Sequence, residues 1–270
     1  MNRRILYPIL IVLVTVILYY AEDYVDRSTE AYPSQTTESI NFEEFDTSFL
    51  PSSTTEIVIE HPAFAFSYNE KHEQAEWVAY ELKLEHLSKN EFDRPYFIQD
   101  RSVESGSADF RNYKNSGYDR GHLCPAGDRR YDYNAYHQTF LTSNISPQDH
   151  DFNGGIWNRL EQKVRYWAKK YAGVFVVTGG ILKDDLPTIG SEGVSVPGDF
   201  YKIVVDRTDG NFKAIAFLIP NKPSSESYFD FVVTIDEIEE KTGIDFFRNL
   251  DASLQNKLES QIDLKAWGRK

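Results

Sequence analysis

The chain has 270 residues, 41% of them hydrophobic and 14% aromatic, with a formal net charge of −13. That apolar content supports one sizeable core with appendages and excludes global disorder. The charge excludes a protein that coats nucleic acid through a broad basic surface, but not an enzyme that grips one phosphate through a few local arginines.

From the start of the chain, Arg3 and Arg4 precede an uncharged apolar run from Ile5 to Ala21. The run is near the lower length limit for crossing a bilayer as a helix. Glu22, Asp23 and Asp26 follow it, so the positive-inside rule predicts a signal anchor over 1–21 with the remainder extracytoplasmic, periplasmic or extracellular. Cleavage would instead release a secreted domain, but Tyr19 makes a poor cleavage pattern before Ala21. Residues 22–55, rich in Ser, Thr, Glu and Pro, read as a flexible acidic linker. A globular domain is expected over 56–270.

Within that domain, FAFSYNEKHEQAEWVAYEL (64–82) predicts two strands around a polar turn, with Trp77, Ala79 and Glu81 alternating with Val78 and Tyr80. β-Branched and aromatic runs at 174–182, 199–206 and 212–221 predict further strands. Helical periodicity runs through 155–172, where Ile156, Leu160, Val164 and Trp167 share a face, and returns at 229–243 and 253–262. Strands and helices mix without βαβ alternation, which predicts an α+β fold with an antiparallel sheet.

Polar residues that a core would not choose crowd two stretches. The first is YDRGHLCPAGDRR (118–130), with Asp119, Arg120 and His122 together and Gly121 permitting close approach. The second is FLTSNISPQDHDFNGGIWNRLE (140–161), where Asn144 ends a short apolar run, Asn153 opens the strongest helix and Glu161 lies on it. Hydrolysing a phosphodiester needs a base for water, a cation for the developing charge and help for the leaving oxygen. Histidine suits the base, asparagine offers a neutral oxygen to hydrated magnesium, glutamate can hold metal-bound water, and arginine matches phosphate.

Plainer readings stand beside these. His122 also reads as a packed structural histidine, Asn153 as a helix N-cap, and Glu161 as an i,i+4 partner of Arg165. Asp119 is left open between loop binding and chemistry. Cys124, the single cysteine, is read as a packing residue rather than a nucleophile. Arg129 and Arg130 are read as surface residues, and His137 and His150 as polar loop groups.

Both clusters resemble the DNA/RNA non-specific endonuclease family, the ββα-metal (His-Me finger) nucleases. The hallmark DRGH stands intact at 119–122 within DRGHLxPAxD, followed by Ser143-Asn144, Pro147-Gln148, Asn153, Trp157 and Leu160-Glu161. WVAYEL at 77–82, the VVTGG stretch ending at Gly180 and LIPN at 218–221 extend the likeness over about 56–250. The resemblance implies a central antiparallel sheet flanked by helices, with DRGH on a strand and Asn153 at the helix entrance. It implies His122 as general base, Asn153 as the direct ligand of a hydrated Mg2+ (Mn2+ or another divalent cation is admitted), and Glu161 holding metal-bound water. Asn144 would support the site by hydrogen bonds, Arg94 in FDRPYFIQD would contact the scissile phosphate with Arg101 as second candidate, and Arg120 and Arg165 would add charge there.

The implied activity is hydrolysis of DNA and RNA with little sequence preference, since phosphates carry no base information. The alternatives are a non-catalytic extracellular nucleic-acid-binding module and a small-substrate phosphodiesterase. Expected partners are DNA and RNA, and the membrane through the N-terminal segment; a homodimer is left open.

Overall fold

A computed structural model describes residues 47–269 apart from 211, together with Val14 and Val16. The chain divides into two compact units, Met1–Glu43 and Glu44–Lys270. The anchor expected over 1–21 and most of the linker over 22–55 lie outside the described residues.

The second unit carries β1 (Val58–Glu60), β2 (Ala65–Asn69), β3 (Gln74–Lys83), β4 (Asp119–His122) and β5 (Ile145–Gln148) in its first part. The short helix α1 (Tyr133–Gln138) lies between β4 and β5, and α2 (Asn158–Lys170) follows β5. Then come β6 (Gly173–Gly180), β7 (Thr188–Ile189), β8 (Val194–Ser195), β9 (Asp199–Asp206), β10 (Lys213–Pro220) and β11 (Val232–Val233). Helices α3 (Ile235–Thr242) and α4 (Ala252–Ser260) close the chain. Seven strands form one sheet in the order β1-β2-β3-β6-β9-β10-β11, every neighbouring pair antiparallel. The α+β class with a central antiparallel sheet is therefore the fold found.

Alternation along β3 builds a core on each side of this sheet. Val78, Tyr80 and Leu82 face one cluster, with Trp157, Leu160, Val164 and Trp167 from the stretch leading through α2. Trp77 and Ala79 face the other, with Ile235, Ile238 and Leu258 of α3 and α4. Opposite parities coexist in one strand because successive side chains point to opposite faces. A bulge, where Ser67 pairs with Trp77 and Tyr68 with Ala75, returns Ala75 to the face of Val78.

Packing begins ahead of residue 56. Phe49 is 3% exposed and lies 5.5 Å from the Phe175 ring and 5.9 Å from that of Phe247, so two apolar residues, Phe49 and Leu50, anchor this approach to the sheet. A pair so short, set among Ser and Thr, leaves no periodic signal in the sequence.

Candidate active site

Strands β4 and β5 pair outside the main sheet, with Asp119 opposite Gln148 and His122 opposite Ile145. Gly121 is required there, because a Cβ would come 2.2 Å from Gln148 Cδ. Gln148 is fully buried and its amide has no hydrogen-bond partner. The close fit thus fixes the strand position next to His122.

The His122 ring packs against Phe97 (5.6 Å between centroids) and edge-on to Phe140 (5.0 Å). Its Nε2 is buried without a protein partner. Burial lowers the His122 pKa to about 3, and the Arg94 guanidinium adds to the effect, so the imidazole is neutral at neutral pH. Arg94 and Arg120, both exposed, stand over the same Phe97 ring at 5.7 and 5.0 Å, within cation–π range. The structure therefore gathers His122, Arg94 and Arg120 around one aromatic ring. Arg101 is exposed in a turn seven residues farther on.

Asn153 donates from Nδ2 to Asp119 Oδ2 at 2.9 Å. This leaves its amide oxygen without a protein partner among the described residues, an oxygen donor suited to a hard cation. The N-cap is Asp149, which accepts from the backbone of Asp151 and Phe152, and Asn153 already sits inside helical geometry. The capping role read for Asn153 is thereby corrected. Residues 153–157 form one π-helical turn in which Gly155 leaves helical angles (φ −98°, ψ −109°), a distortion common at functional sites. His150, 81% exposed in its side chain, meets the same Asp119 carboxylate, with Nδ1 3.1 Å from Oδ2 and 3.3 Å from Oδ1.

Glu161 and Arg165 lie farther along α2, over a buried polar patch. Arg165 Nε donates to Asp128 Oδ1 at 2.5 Å, its Nη2 stands 3.6 Å from Glu161, and Tyr80 donates to Asp128 at 3.0 Å. Lys202 is fully buried, donates to Thr178 Oγ1 at 2.6 Å and stands 4.7 Å over the Trp157 ring. Burial raises Glu161 to about 7, against the pull of Lys202 and Arg165. Burial likewise lowers Lys202 to about 8, opposed by Glu161 and Asp128. Arg165 is thus engaged by Asp128 and stands beside Glu161, the i,i+4 partner that the spacing predicts.

Asn144 is wholly internal. Its Oδ1 accepts from Cys124 N at 2.8 Å and its Nδ2 donates to the carbonyls of Cys124 and Thr139, both at 2.9 Å. It braces the hairpin from within. Cys124 is fully buried, and burial pushes its thiol up to about 12, which disfavours a nucleophilic thiolate.

A sequence profile of the DNA/RNA non-specific endonucleases matches residues 43–253. The chain belongs to this family. Its members are metal-dependent nucleases that use a divalent cation, and the free amide oxygen of Asn153 is a donor of the kind such an ion takes.

The family is represented by the mitochondrial nuclease EXOG of Danio rerio, 34% identical over 203 residues, covering 67% of this chain and 58% of that protein. Nuclease C1 of Cunninghamella echinulata var. echinulata is 34% identical over 225 residues, covering 76% of this chain and 88% of its own. In the solved structure of an EndoG/EndoGI complex, one chain matches with a TM-score of 0.67 at 32% identity, covering 72% of this chain and 86% of that one. The chain thus spans little more than half the length of its EXOG relative. These relatives are named as nucleases, which does not favour a non-catalytic module.

The placement outside the cytoplasm on a membrane anchor is corrected. The EXOG relative is named as mitochondrial, and among the described residues no helix is long and apolar enough to cross a membrane.

Other residues of the endonuclease fold escaped the sequence reading. Arg129 is 1% exposed, not a surface group; it donates to the carbonyls of Ala63, Asp128 and Glu81 and lies 4.7 Å over Tyr80. Arg130 is exposed, as expected. The signal for Lys202 was in the sequence, as a lone lysine inside the apolar run DFYKIVVD. A lysine is almost never fully buried unless paired, so its place in a central strand marks a polar partner beneath.

Proposed function

We propose that this chain is a metal-dependent endonuclease that hydrolyses DNA and RNA with little sequence preference, its catalytic domain lying within 44–270. The observation that carries the reading is His122: a neutral imidazole whose Nε2 has no protein partner, beside two exposed arginines on the Phe97 ring.

In this reading Arg94 and Arg120 hold the scissile phosphate, and their charge favours the anionic transition state. The His122 imidazole takes a proton from water as the water oxygen attacks phosphorus and the ester oxygen departs. Asn153, oriented by Asp119, would hold Mg2+ through its amide oxygen, with Glu161 reaching metal-bound water. Bound there, the cation would supply charge stabilisation for the phosphate and the leaving oxygen. Arg165 positions Glu161, and Asn144 keeps the strand carrying His122 in register. Contacts made to phosphate carry no base information, which accounts for weak sequence preference.

The test is digestion of plasmid DNA and of RNA by the purified chain, with Mg2+ and with EDTA, beside His122→Ala. Cleavage of both polymers that needs the cation and is lost in the variant supports the proposal. A folded wild-type chain that cleaves neither polymer overturns it.

A further inference from the structure

Helices α3 and α4 pack on the sheet face opposite the β4–β5 hairpin, since their apolar residues join the cluster of Trp77 while Leu123 and Cys124 join the other. Asp236 and Glu239, one helical turn apart on α3, meet Glu259 from the last turn of α4. One carboxylate oxygen from each lies within 4.8 Å of those of the other two. Glu259 is 5% exposed, and its Oε1 is buried with no hydrogen-bond partner.

Gln255 is the side chain whose hydrogen bond eases the Glu259 charge. Among the described residues no lysine or arginine pairs with any of the three, and Lys241 on α3 pairs with Glu237 instead. Glu259 also stands at a helix C-terminus, the end whose dipole disfavours an anion. Burial first, then Glu239, Asp236 and Asp245, push its carboxyl up to about 7 against the pull of a Gln255 hydrogen bond. A buried carboxylate in such company needs a cation or a proton.

We infer that Asp236, Glu239 and Glu259 form a calcium site that ties α4 to α3. The donors are all oxygens, as a hard cation prefers. The three oxygens stand within 4.8 Å of one another, close enough for one hydrated ion to touch them all. Asp236 is exposed, which leaves room for the waters that complete the coordination. Glu239 already accepts from Phe246 N at 2.7 Å, which holds its carboxylate in place.

Calcium titration of the full chain by calorimetry, with thermal unfolding in parallel, tests the site. Asn153→Ala removes the ligand proposed for the catalytic cation, so binding that survives it belongs elsewhere. The expected result is calcium binding in wild type and Asn153→Ala, lost in Glu259→Gln and in Asp236→Asn. About 5 mM calcium should raise the unfolding midpoint by roughly 5 °C in the first two and leave the last two unmoved. In EDTA, Glu259→Gln should melt no lower than wild type, because one of three repelling charges is gone. Equal calcium binding in all four proteins, or no calcium-dependent shift in Asn153→Ala, overturns the inference and leaves a proton as the occupant.

Discussion

Asp119 holds Asn153: the amide nitrogen donates to Oδ2 at 2.9 Å, so the first residue of the DRGH motif fixes which way the asparagine oxygen points. Outer partners of metal ligands commonly contribute 10–100-fold to affinity. Asp119→Ala should therefore raise the Mg2+ concentration giving half-maximal cleavage by about that factor, with rate recovered at high Mg2+. His150→Ala, which removes only an exposed neighbour of Asp119, should barely change it. A cleavage titration against Mg2+ checks both; an unshifted curve for Asp119→Ala would show that Asn153 needs no such guide.

Asn144 makes three side-chain hydrogen bonds at full burial. Asn144→Ala leaves a buried N–H and two carbonyls unpaired and should cost about 3 kcal/mol, read from urea unfolding. Asn144→Asp should also destabilise, because it sets an oxygen against those carbonyls. If either variant unfolds at the wild-type midpoint while losing activity, Asn144 acts on substrate instead.

Gly121→Ala would drive a methyl into Gln148, at 2.2 Å from its Cδ. Overpacking of this kind costs about 1–3 kcal/mol, and here it should also displace His122 and lower kcat. Adding Gln148→Ala should restore much of both. Failure of the double variant to recover would place the strain in the backbone and not in the side chain.

Asp100 is 2% exposed and accepts from His61 Nε2 at 2.7 Å, Ser143 Oγ at 2.6 Å and Ser102 N at 2.9 Å. Burial alone would raise its pKa, yet these bonds, His61 first, hold it below the ordinary 3.8. A depressed carboxylate contributes stability that is full above 3.8 and is lost as pH falls through the folded value. Asp100→Asn should thus cost about 3 kcal/mol at pH 7, with the gap to wild type closing only below that ordinary value. Urea midpoints measured down the pH scale decide it; a gap that closes near pH 6 would assign the effect to a histidine.

Short-range pattern made much of this molecule legible before any coordinates. The strand at 199–206 and the helical face of Leu160, Val164 and Trp167 follow from periodicity, and the DRGH hairpin follows from the family likeness. What escaped depends on distant backbone. Arg129 looked like a surface charge because its acceptors are carbonyls of Ala63 and Glu81, far away in sequence. For Arg165 the spacing reported Glu161 but not Asp128, which sits 37 positions earlier. Asn144 acts through the main chain of Cys124 and Thr139, which no spacing rule reports.

Strand β3 serves two masters. Val78 and Tyr80 face the cluster behind the hairpin, while Trp77 and Ala79 face the helices on the far side. Adding or deleting one residue between Trp77 and Tyr80 would exchange the two sets, turning a tryptophan-sized side chain toward α2 and withdrawing it from α3 and α4. Length in this segment is therefore under tighter control than chemical identity. Conservative swaps within either face should be absorbed locally, whereas a single-codon insertion should spoil both halves of the protein at once.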